Sequence, residues 1–135
     1  MNTKSEPLVL MADDDEDDCT LARNAFKESG ARGAIRCMEN GMELMDCLSC
    51  SETAPVLILL DLNMPIKDGR QVLKEINSTP AFRHIPVVVF TTSRESKDIA
   101  YSVEMGAQMF ITKPNTFGEW VSIMKSLADR WLAAG

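Results

Sequence analysis

An apolar run that ends abruptly on a carboxylate constrains the fold of this chain more than any other feature. Residues 56–60 read Val-Leu-Ile-Leu-Leu, they follow Pro55, and Asp61 comes directly after them. Five consecutive aliphatic residues between a proline and a turn-rich segment are typical of a strand buried on both faces, as in a parallel sheet covered by helices. Because open α/β sheets bind ligands at the carboxyl ends of their strands, Asp61 is a candidate site residue.

Apolar runs of this kind alternate with amphipathic segments along the whole chain. Strands are predicted at residues 7–12, 34–38, 56–60, 85–90 and 109–111. The first helix runs from an N-cap at Asp15 to about residue 29, and others are predicted at residues 42–48, 70–77 and 117–132. A fourth helix, capped by residues 93–96, carries Ile99 and Val103 and ends at Gly106. The pattern predicts a doubly wound, flavodoxin-like parallel sheet of five strands with five helices, in the order 2-1-3-4-5.

Length and charge limit the class of protein. A chain of 135 residues suffices for one domain, with a core at about residues 7–133, so we expect a single domain over residues 1–135 without an output domain. The net charge of -6 argues against a nucleic-acid or membrane-surface binder. Because the sequence has neither an apolar run of transmembrane length nor a signal peptide, we expect a cytoplasmic protein.

The cysteines and the single histidine offer no recognisable site. Cys47 and Cys50 are spaced as a C-x-x-C pair but lie late in a predicted helix, without further zinc ligands or a redox context. We therefore expect these two residues, together with Cys19 and Cys37, to be reduced, partly buried thiols. His84 is expected in a loop or at a strand edge.

Polar residues follow four of the predicted strands directly. They are Asp13 and Asp14 after the first strand, Asp61 after the third, Thr91 after the fourth and Lys113 after the fifth. Neighbouring parallel strands lie about 4.8 Å apart, so a lysine on the fifth strand can largely span the distance to the third. Within the acidic run at residues 13–18, residues 15–18 are expected to form a solvated first helical turn.

Three carboxylates at one sheet edge repel one another, and a hard divalent cation relieves that repulsion. Mg²⁺ prefers oxygen ligands and phosphate oxygens, whereas a cluster without His or Cys suits zinc and copper poorly. The sequence has no Gly-Lys-Ser/Thr phosphate loop, so direct use of a nucleotide is not expected. The natural nucleophile is then Asp61, as in aspartyl-phosphate chemistry, with Lys113 and Thr91 holding phosphate oxygens.

These residues together resemble the response-regulator receiver domain of two-component signalling, over essentially the whole chain. The matching motifs are Asp13-Asp14, Asp61 with Asn63-Met64-Pro65 and Asp68-Gly69, Thr91-Thr92, and Lys113-Pro114. The resemblance implies that Asp61 accepts a phosphoryl group from a phosphohistidine on a partner kinase. It also implies that Mg²⁺ is bound by Asp14, Asp61 and the Asn63 carbonyl, with Asp13 acting through water.

The resemblance further implies a switch at Thr91 and Phe110, which occupy the positions of the family's coupled threonine and aromatic residue. Phe110 departs from the commoner tyrosine and has no hydroxyl, so it can report only by burying or exposing its ring. The Lys113–Pro114 bond is similar to one that is cis in the family, although the sequence does not determine the isomer.

Three other interpretations remain open. The aspartates could be caps and turn residues of a flavodoxin-like fold, which we favour for Asp15 and Asp68. The chain could be a Mg²⁺-dependent phosphatase or phosphotransferase, although such enzymes generally need a cap domain. It could also be a pseudo-receiver that binds partners without being phosphorylated.

The expected output is protein contact or phosphorelay by a stand-alone receiver. Residues 77–86 and 90–93 resemble small receivers that serve phytochrome-type sensor kinases, and a histidine phosphotransfer protein is the other donor implied. The surface of the fourth helix, fifth strand and fifth helix, including Tyr101, is expected to change on phosphorylation and to form a homodimer. The kinase, the downstream target and the lifetime of the phosphorylated form are not encoded in any motif.

Overall fold

A computed structural model describes residues 7–50 and 54–132. Within these residues five strands alternate with five helices, and the last helix continues into a wider π-helical turn at Ala128–Leu132. The strands are β1 (Leu8–Ala12), β2 (Ala34–Met38), β3 (Leu57–Leu60), β4 (Val87–Thr91) and β5 (Met109–Thr112). The helices are α1 (Glu16–Glu28), α2 (Gly41–Cys50), α3 (Gly69–Ser78), α4 (Ser96–Glu104) and α5 (Phe117–Leu127).

All neighbouring strands are parallel, in the order β2-β1-β3-β4-β5, which confirms the predicted fold class and strand order. The register pairs Ala12 with Leu60 and Thr91 with Thr112, so β1 and β3 end level with each other, as do β4 and β5. Leu60 pairs with Val89, so β4 extends two residues beyond the end of β3. The residues that follow the strands therefore meet at one edge.

The sheet is buried on both faces because its strand residues alternate between two cores. Leu10, Ile58 and Val89 pack with residues of α2 and α3. Val9 and Leu59 lie on the opposite face and pack with residues of α1 and α5. The central strands β3 and β4 are buried throughout, whereas every residue of the edge strand β5 is half-buried.

Helix ends follow the local sequence signals. Asp15 is the N-cap of α1 and accepts hydrogen bonds from the backbone N–H groups of Asp17 and Asp18, as predicted. Asp68 caps α3 and forms a capping box with Gln71, which confirms its structural role. Gly69 begins α3 so close to β3 that a Cβ there would lie 2.7 Å from Leu62 Cα and would overlap the Asp61 carbonyl oxygen.

Two cysteines differ from the prediction. Cys19 on α1 and Cys37 on β2 form a disulfide with their Cα atoms 6.5 Å apart, so the prediction of reduced thiols is wrong for this pair. Their proximity arises because β2 lies beside β1, which brings the end of β2 next to the first turns of α1. Cys47 and Cys50 are free thiols, as predicted, and His84 lies in an exposed turn.

Helix α4 also differs from its sequence pattern. Its buried residues are polar, Asp98 and Ser102, whereas Ile99 and Val103 are 40% and 66% exposed. Trp120, Met124 and Leu127 of α5 are buried as predicted, and Trp131 is half-buried. None of the helices in the described residues is long and apolar enough to cross a membrane.

Candidate functional site

The carboxyl ends of β1 and β3 place two buried aspartates side by side. Asp13 follows β1 and is 3% exposed, and Asp61 follows β3 and is 6% exposed. The Asp61 N–H donates to the carbonyl of Ala12 at 3.0 Å, and the Asp13 N–H donates to the carbonyl of Met38 at 2.9 Å. Strand pairing therefore continues one residue beyond each strand and fixes both carboxylates at the sheet edge.

An acidic cluster forms where Asp14 joins these two residues. Asp13, Asp14 and Asp61 each offer a carboxylate oxygen, and these oxygens lie within 4.8 Å of one another. Burial raises the pKa of Asp13 to about 6, although Lys113 and the Asp15 N–H act in the opposite direction. The protein groups around the cluster therefore compensate the negative charge of its carboxylates only in part.

One buried oxygen shows this directly. Asp13 Oδ2 has the Lys113 ammonium 2.6 Å away but makes no hydrogen bond of acceptable geometry to any described protein group. The cluster offers carboxylate oxygens and contains neither His nor Cys, and this donor set fits a hard divalent cation. The residues present therefore suit the predicted metal chemistry.

Lys113 lies at the centre of the charge arrangement. Its Nζ is 2.6 Å from Asp13 Oδ2, 2.6 Å from Asp18 Oδ2 and 3.7 Å from Asp61 Oδ2. Burial lowers the pKa of Lys113, but its contacts with Asp13 and Asp18 and the charge of Asp61 outweigh burial and raise the pKa above its ordinary value. Lys113 is therefore a permanent cation in this site.

Asp18 was not expected here. We predicted a solvated face for residues 15–18, and this is wrong for Asp18, whose side chain is only 19% exposed and bonds Lys113. The acidic run gives no signal that separates Asp18 from its neighbours. Only helical spacing could do so, because Asp18 lies four residues before Ala22 and eight before Phe26, which are both buried, and so shares their side of α1.

Thr91 and Asn63 both contact Asp61. Thr91 is fully buried, and its hydroxyl donates to Asp61 Oδ1 at 2.7 Å. The Asn63 N–H donates weakly to the same oxygen at 3.4 Å, and the Asn63 side chain is exposed. The structure thus brings together all the residues that the sequence placed at the strand ends.

Phe110 and the Lys113–Pro114 bond complete the predicted set. Phe110 lies on β5 opposite Val89, is half-buried and packs against the core that α2 and α3 cover. One part of Phe110 is therefore covered by the protein, and the other part is exposed to solvent. Every peptide bond in the described residues is trans, so the Lys113–Pro114 bond differs from the cis bond to which it was compared.

Polar contacts between α3 and α4, centred on Arg70 and Asp98 and called the clamp below, were also not predicted from the sequence. Arg70 donates to both carboxylate oxygens of Asp98, at 3.0 and 2.9 Å, and the Ser93 hydroxyl donates to Asp98 Oδ2 at 2.6 Å. The Tyr101 hydroxyl donates to the Arg70 carbonyl at 3.2 Å. The hydrogen bonds from Arg70, and secondly from Ser93, lower the pKa of Asp98. These contacts explain why α4 buries an aspartate.

Comparison with known proteins agrees with this geometry. The family model described as response regulator receiver domain matches residues 9–125. The chain belongs to the response regulator receiver domain family. This receiver domain is 32% identical to response regulator Rcp1 of Synechocystis over 98% of the chain and 95% of Rcp1.

Solved structures of related receivers superpose closely. The phosphorylated cyanobacterial phytochrome response regulator RcpA matches with a TM-score of 0.87 and 34% identity, over 96% of each chain. The Mn²⁺-bound form of Rcp1 matches with a TM-score of 0.85 and 31% identity, also over 96% of each chain. The fold, the family and a role as a response regulator in two-component signalling are thereby established for this receiver domain.

Proposed function

We propose that Asp61 is the phosphoacceptor of this receiver domain. The observation that carries the proposal is the set of contacts around Asp61. Two more carboxylates lie within metal-sharing distance, the Thr91 hydroxyl is 2.7 Å away and the Lys113 ammonium is 3.7 Å away. Such an arrangement combines a nucleophile with the groups that bind a phosphoryl anion.

The metal proposed is Mg²⁺, bound by Asp14, Asp61 and the Asn63 carbonyl, with Asp13 acting through water. When bound, Mg²⁺ would neutralise charge on the transferring phosphoryl group. Related Rcp1 has been solved with Mn²⁺, a cation of similar ligand preference. The place of Asp13 in the cluster of three carboxylates supports a role for Asp13 beside the ion.

The proposed reaction moves a phosphoryl group from nitrogen to oxygen. A carboxylate oxygen of Asp61 attacks phosphorus, the P–N bond of a phosphohistidine breaks, and the imidazole nitrogen leaves with the bonding electron pair. Lys113 and the Thr91 hydroxyl then bind phosphoryl oxygens, for which Thr91 exchanges its bond to Asp61. Hydrolysis of the acyl phosphate by water would return Asp61, so the domain would promote both its own phosphorylation and dephosphorylation.

The proposed donor is a sensor histidine kinase of the phytochrome-like type, or a histidine phosphotransfer protein. RcpA, a phytochrome response regulator, supports the first choice through 34% identity over nearly the full chain. Because the chain covers 95% of Rcp1, a single domain that acts by protein contact or relay is the organisation we propose.

A labelling experiment tests the acceptor. Incubation with Mg²⁺ and acetyl phosphate should give an acid-stable, base-labile adduct that is lost in Asp61→Asn and kept in the control Asp46→Asn, which changes an exposed aspartate of α2. Labelling of Asp61→Asn equal to the control would refute the assignment. No adduct from any donor or kinase would favour the pseudo-receiver instead.

We also propose that the surface of α4, β5 and α5 forms a homodimer on phosphorylation. Ile99 and Val103 expose apolar surface on α4, and Met109, Ile111 and Ile123 line a groove between β5 and α5. Beryllofluoride with Mg²⁺ mimics the phosphorylated state, so it should raise the mass measured by sedimentation. An unchanged mass would count against dimerisation as the output.

A further inference from the structure

The Lys113 ammonium has two short contacts, and only one of its partners belongs to the acidic cluster. Asp13 is a member of the group of three carboxylates that can share a metal ion. Asp18 lies outside that group, yet its Oδ2 is 2.6 Å from Lys113 Nζ, as close as Asp13 Oδ2. A cation that binds near Asp13 would therefore weaken the contact between Asp13 and Lys113 and leave the contact between Asp18 and Lys113 intact.

We propose that Asp18 is a positioning residue for Lys113. It holds the Lys113 ammonium beside Asp61 while the other carboxylates interact with the metal and the phosphoryl group. The inference rests on the proposed phosphorylation of Asp61. Lys113 has a flexible four-carbon stem, and its Nζ lies 3.7 Å from Asp61 Oδ2. An ammonium fixed at that distance needs little movement to reach an oxygen of a phosphoryl group on Asp61.

Helix α1 fixes Asp18 itself. Asp18 lies in the first turn, where its N–H donates to the Asp15 side chain at 3.2 Å, and the next residue, Cys19, is buried. The carboxylate is thus carried by the capped first turn of α1, a helix that packs against α5, which follows Lys113 in the chain. Rigid support of this kind is what a positioning residue requires.

Asp17 supplies a matched control. It is the preceding residue in the same helical turn and carries the same charge, but its side chain is exposed. Asp17→Ala therefore removes one negative charge and one favourable interaction with the helix dipole, as Asp18→Ala does, without removing a contact to Lys113. Any difference between the two variants reports the contact itself.

The first measurement is the initial rate of labelling by acetyl phosphate with Mg²⁺. Asp18→Ala should be about fivefold slower than wild type, the rate equivalent of about 1 kcal/mol. Asp17→Ala should stay within about twofold, and Asp18→Asn, which keeps a neutral acceptor and the side-chain volume, should be intermediate. Equal rates for Asp18→Ala and Asp17→Ala, or a faster Asp18→Ala, would overturn the proposal.

A double variant tests whether Asp18 acts through Lys113. In a Lys113→Met background, which labels more slowly, Asp18→Ala should cause no further loss. A further fivefold loss would place the effect of Asp18 elsewhere and refute the positioning role.

The second readout does not depend on phosphorylation. The ¹H–¹⁵N signal of the Lys113 ammonium, assigned by its loss in Lys113→Met, should persist in Mg²⁺-loaded wild type and Asp17→Ala and vanish through solvent exchange in Asp18→Ala. An unchanged signal in Asp18→Ala would refute the inference. If wild type is not labelled at all, the proposed function fails, and the ammonium signal still decides the role of Asp18.

Discussion

Removing either partner of the Arg70–Asp98 pair should destabilise the protein by different amounts. Asp98 is 4% exposed, whereas the Arg70 side chain is 32% exposed and has a second carboxylate, Asp68, at 3.5 Å. Asp98→Ala leaves an arginine that can turn to Asp68 and water. Arg70→Ala leaves a buried carboxylate whose remaining side-chain partner is the Ser93 hydroxyl. The second variant should therefore be the less stable one.

The magnitudes follow from that difference in burial. Asp98→Ala removes hydrogen bonds between charged groups, but solvent can then hydrate the Arg70 guanidinium, so we expect a cost of about 2 kcal/mol in the free energy of unfolding. An uncompensated buried charge costs roughly 3–5 kcal/mol. At about 3–5 °C per kcal/mol for a domain of this size, we expect the melting temperature to fall by about 8 °C in Asp98→Ala and by about 12 °C or more in Arg70→Ala.

Urea and thermal unfolding followed by circular dichroism measure both values, with Lys97→Ala as the control. Lys97 lies beside Asp98, is 78% exposed and pairs only loosely with Glu95 at 3.5 Å, so its loss should change stability by less than about 0.5 kcal/mol. Equal costs for the two clamp variants, or a larger cost for Asp98→Ala, would refute the reasoning from burial.

The pKa of Asp98 adds a pH dependence whose sign is fixed. Arg70, and secondly Ser93, lower the folded-state pKa of Asp98 below its ordinary value of 3.8. A depressed folded pKa gives stability that is fully present above pH 3.8 and is lost as pH falls through the folded pKa. Without Arg70, burial opposes ionisation, so the stability gap between wild type and Arg70→Ala should narrow below pH 3.8. A gap that widens there would contradict the assigned charge pairing.

Three further predictions concern the backbone and the disulfide. Ile66 has a φ of 68°, and the residues on either side of it are joined by a backbone hydrogen bond, so it is the central residue of a strained turn. Ile66→Gly should therefore raise the free energy of unfolding, measured by urea titration, by about 0.5–1 kcal/mol. Gly69→Ala should lower the free energy of unfolding by more than about 3 kcal/mol, because a Cβ would overlap the backbone of Asp61 and Leu62, which follow β3. Reduction of Cys19–Cys37, which are 18 residues apart, should cost about 3 kcal/mol, and thiol titration of the denatured, unreduced protein should find only two free thiols.

The fold was predictable because its signals are local or periodic. Continuous apolar runs predicted the doubly buried strands β3 and β4. The alternation of strands with helices predicted a doubly wound sheet, and the observed strand order is the one that is commonest for such a sheet at this length. The caps at Asp15 and Asp68 depend on neighbouring residues only. Strand boundaries shifted by up to two residues, as at β4, because apolar residues continue beyond the hydrogen-bonded pairs.

The strand-end residues were predictable for a topological reason. Once the sheet is parallel, residues at or directly after the carboxyl end of a strand lie at the same edge, so Asp13, Asp61, Thr91 and Lys113 could be grouped without side-chain geometry. The disulfide could not be found in this way. Cys37 lies within β2 and Cys19 within α1, and no spacing rule relates a helix residue to a strand residue 18 positions later.

Asp18 was predicted wrongly and Asp98 was not identified from the sequence, and both outcomes have one physical reason. An acidic residue on a helix is ordinarily solvated, and sequence periodicity assigns apolar residues such as Ile99 to the core. Burial becomes favourable only when a cation is supplied, and here the cations lie far away in sequence, 95 residues for Asp18 and 28 for Asp98. In each case the cation belongs to a segment that also contacts the site: Lys113 is 3.7 Å from Asp61, and Arg70 follows Gly69, whose N–H is bound to the Leu62 carbonyl. Ion pairs therefore link α1 and α4 to residues of the candidate site in addition to the apolar packing of α1, and the phosphoryl group proposed for Asp61 would act on both ion pairs through its negative charge.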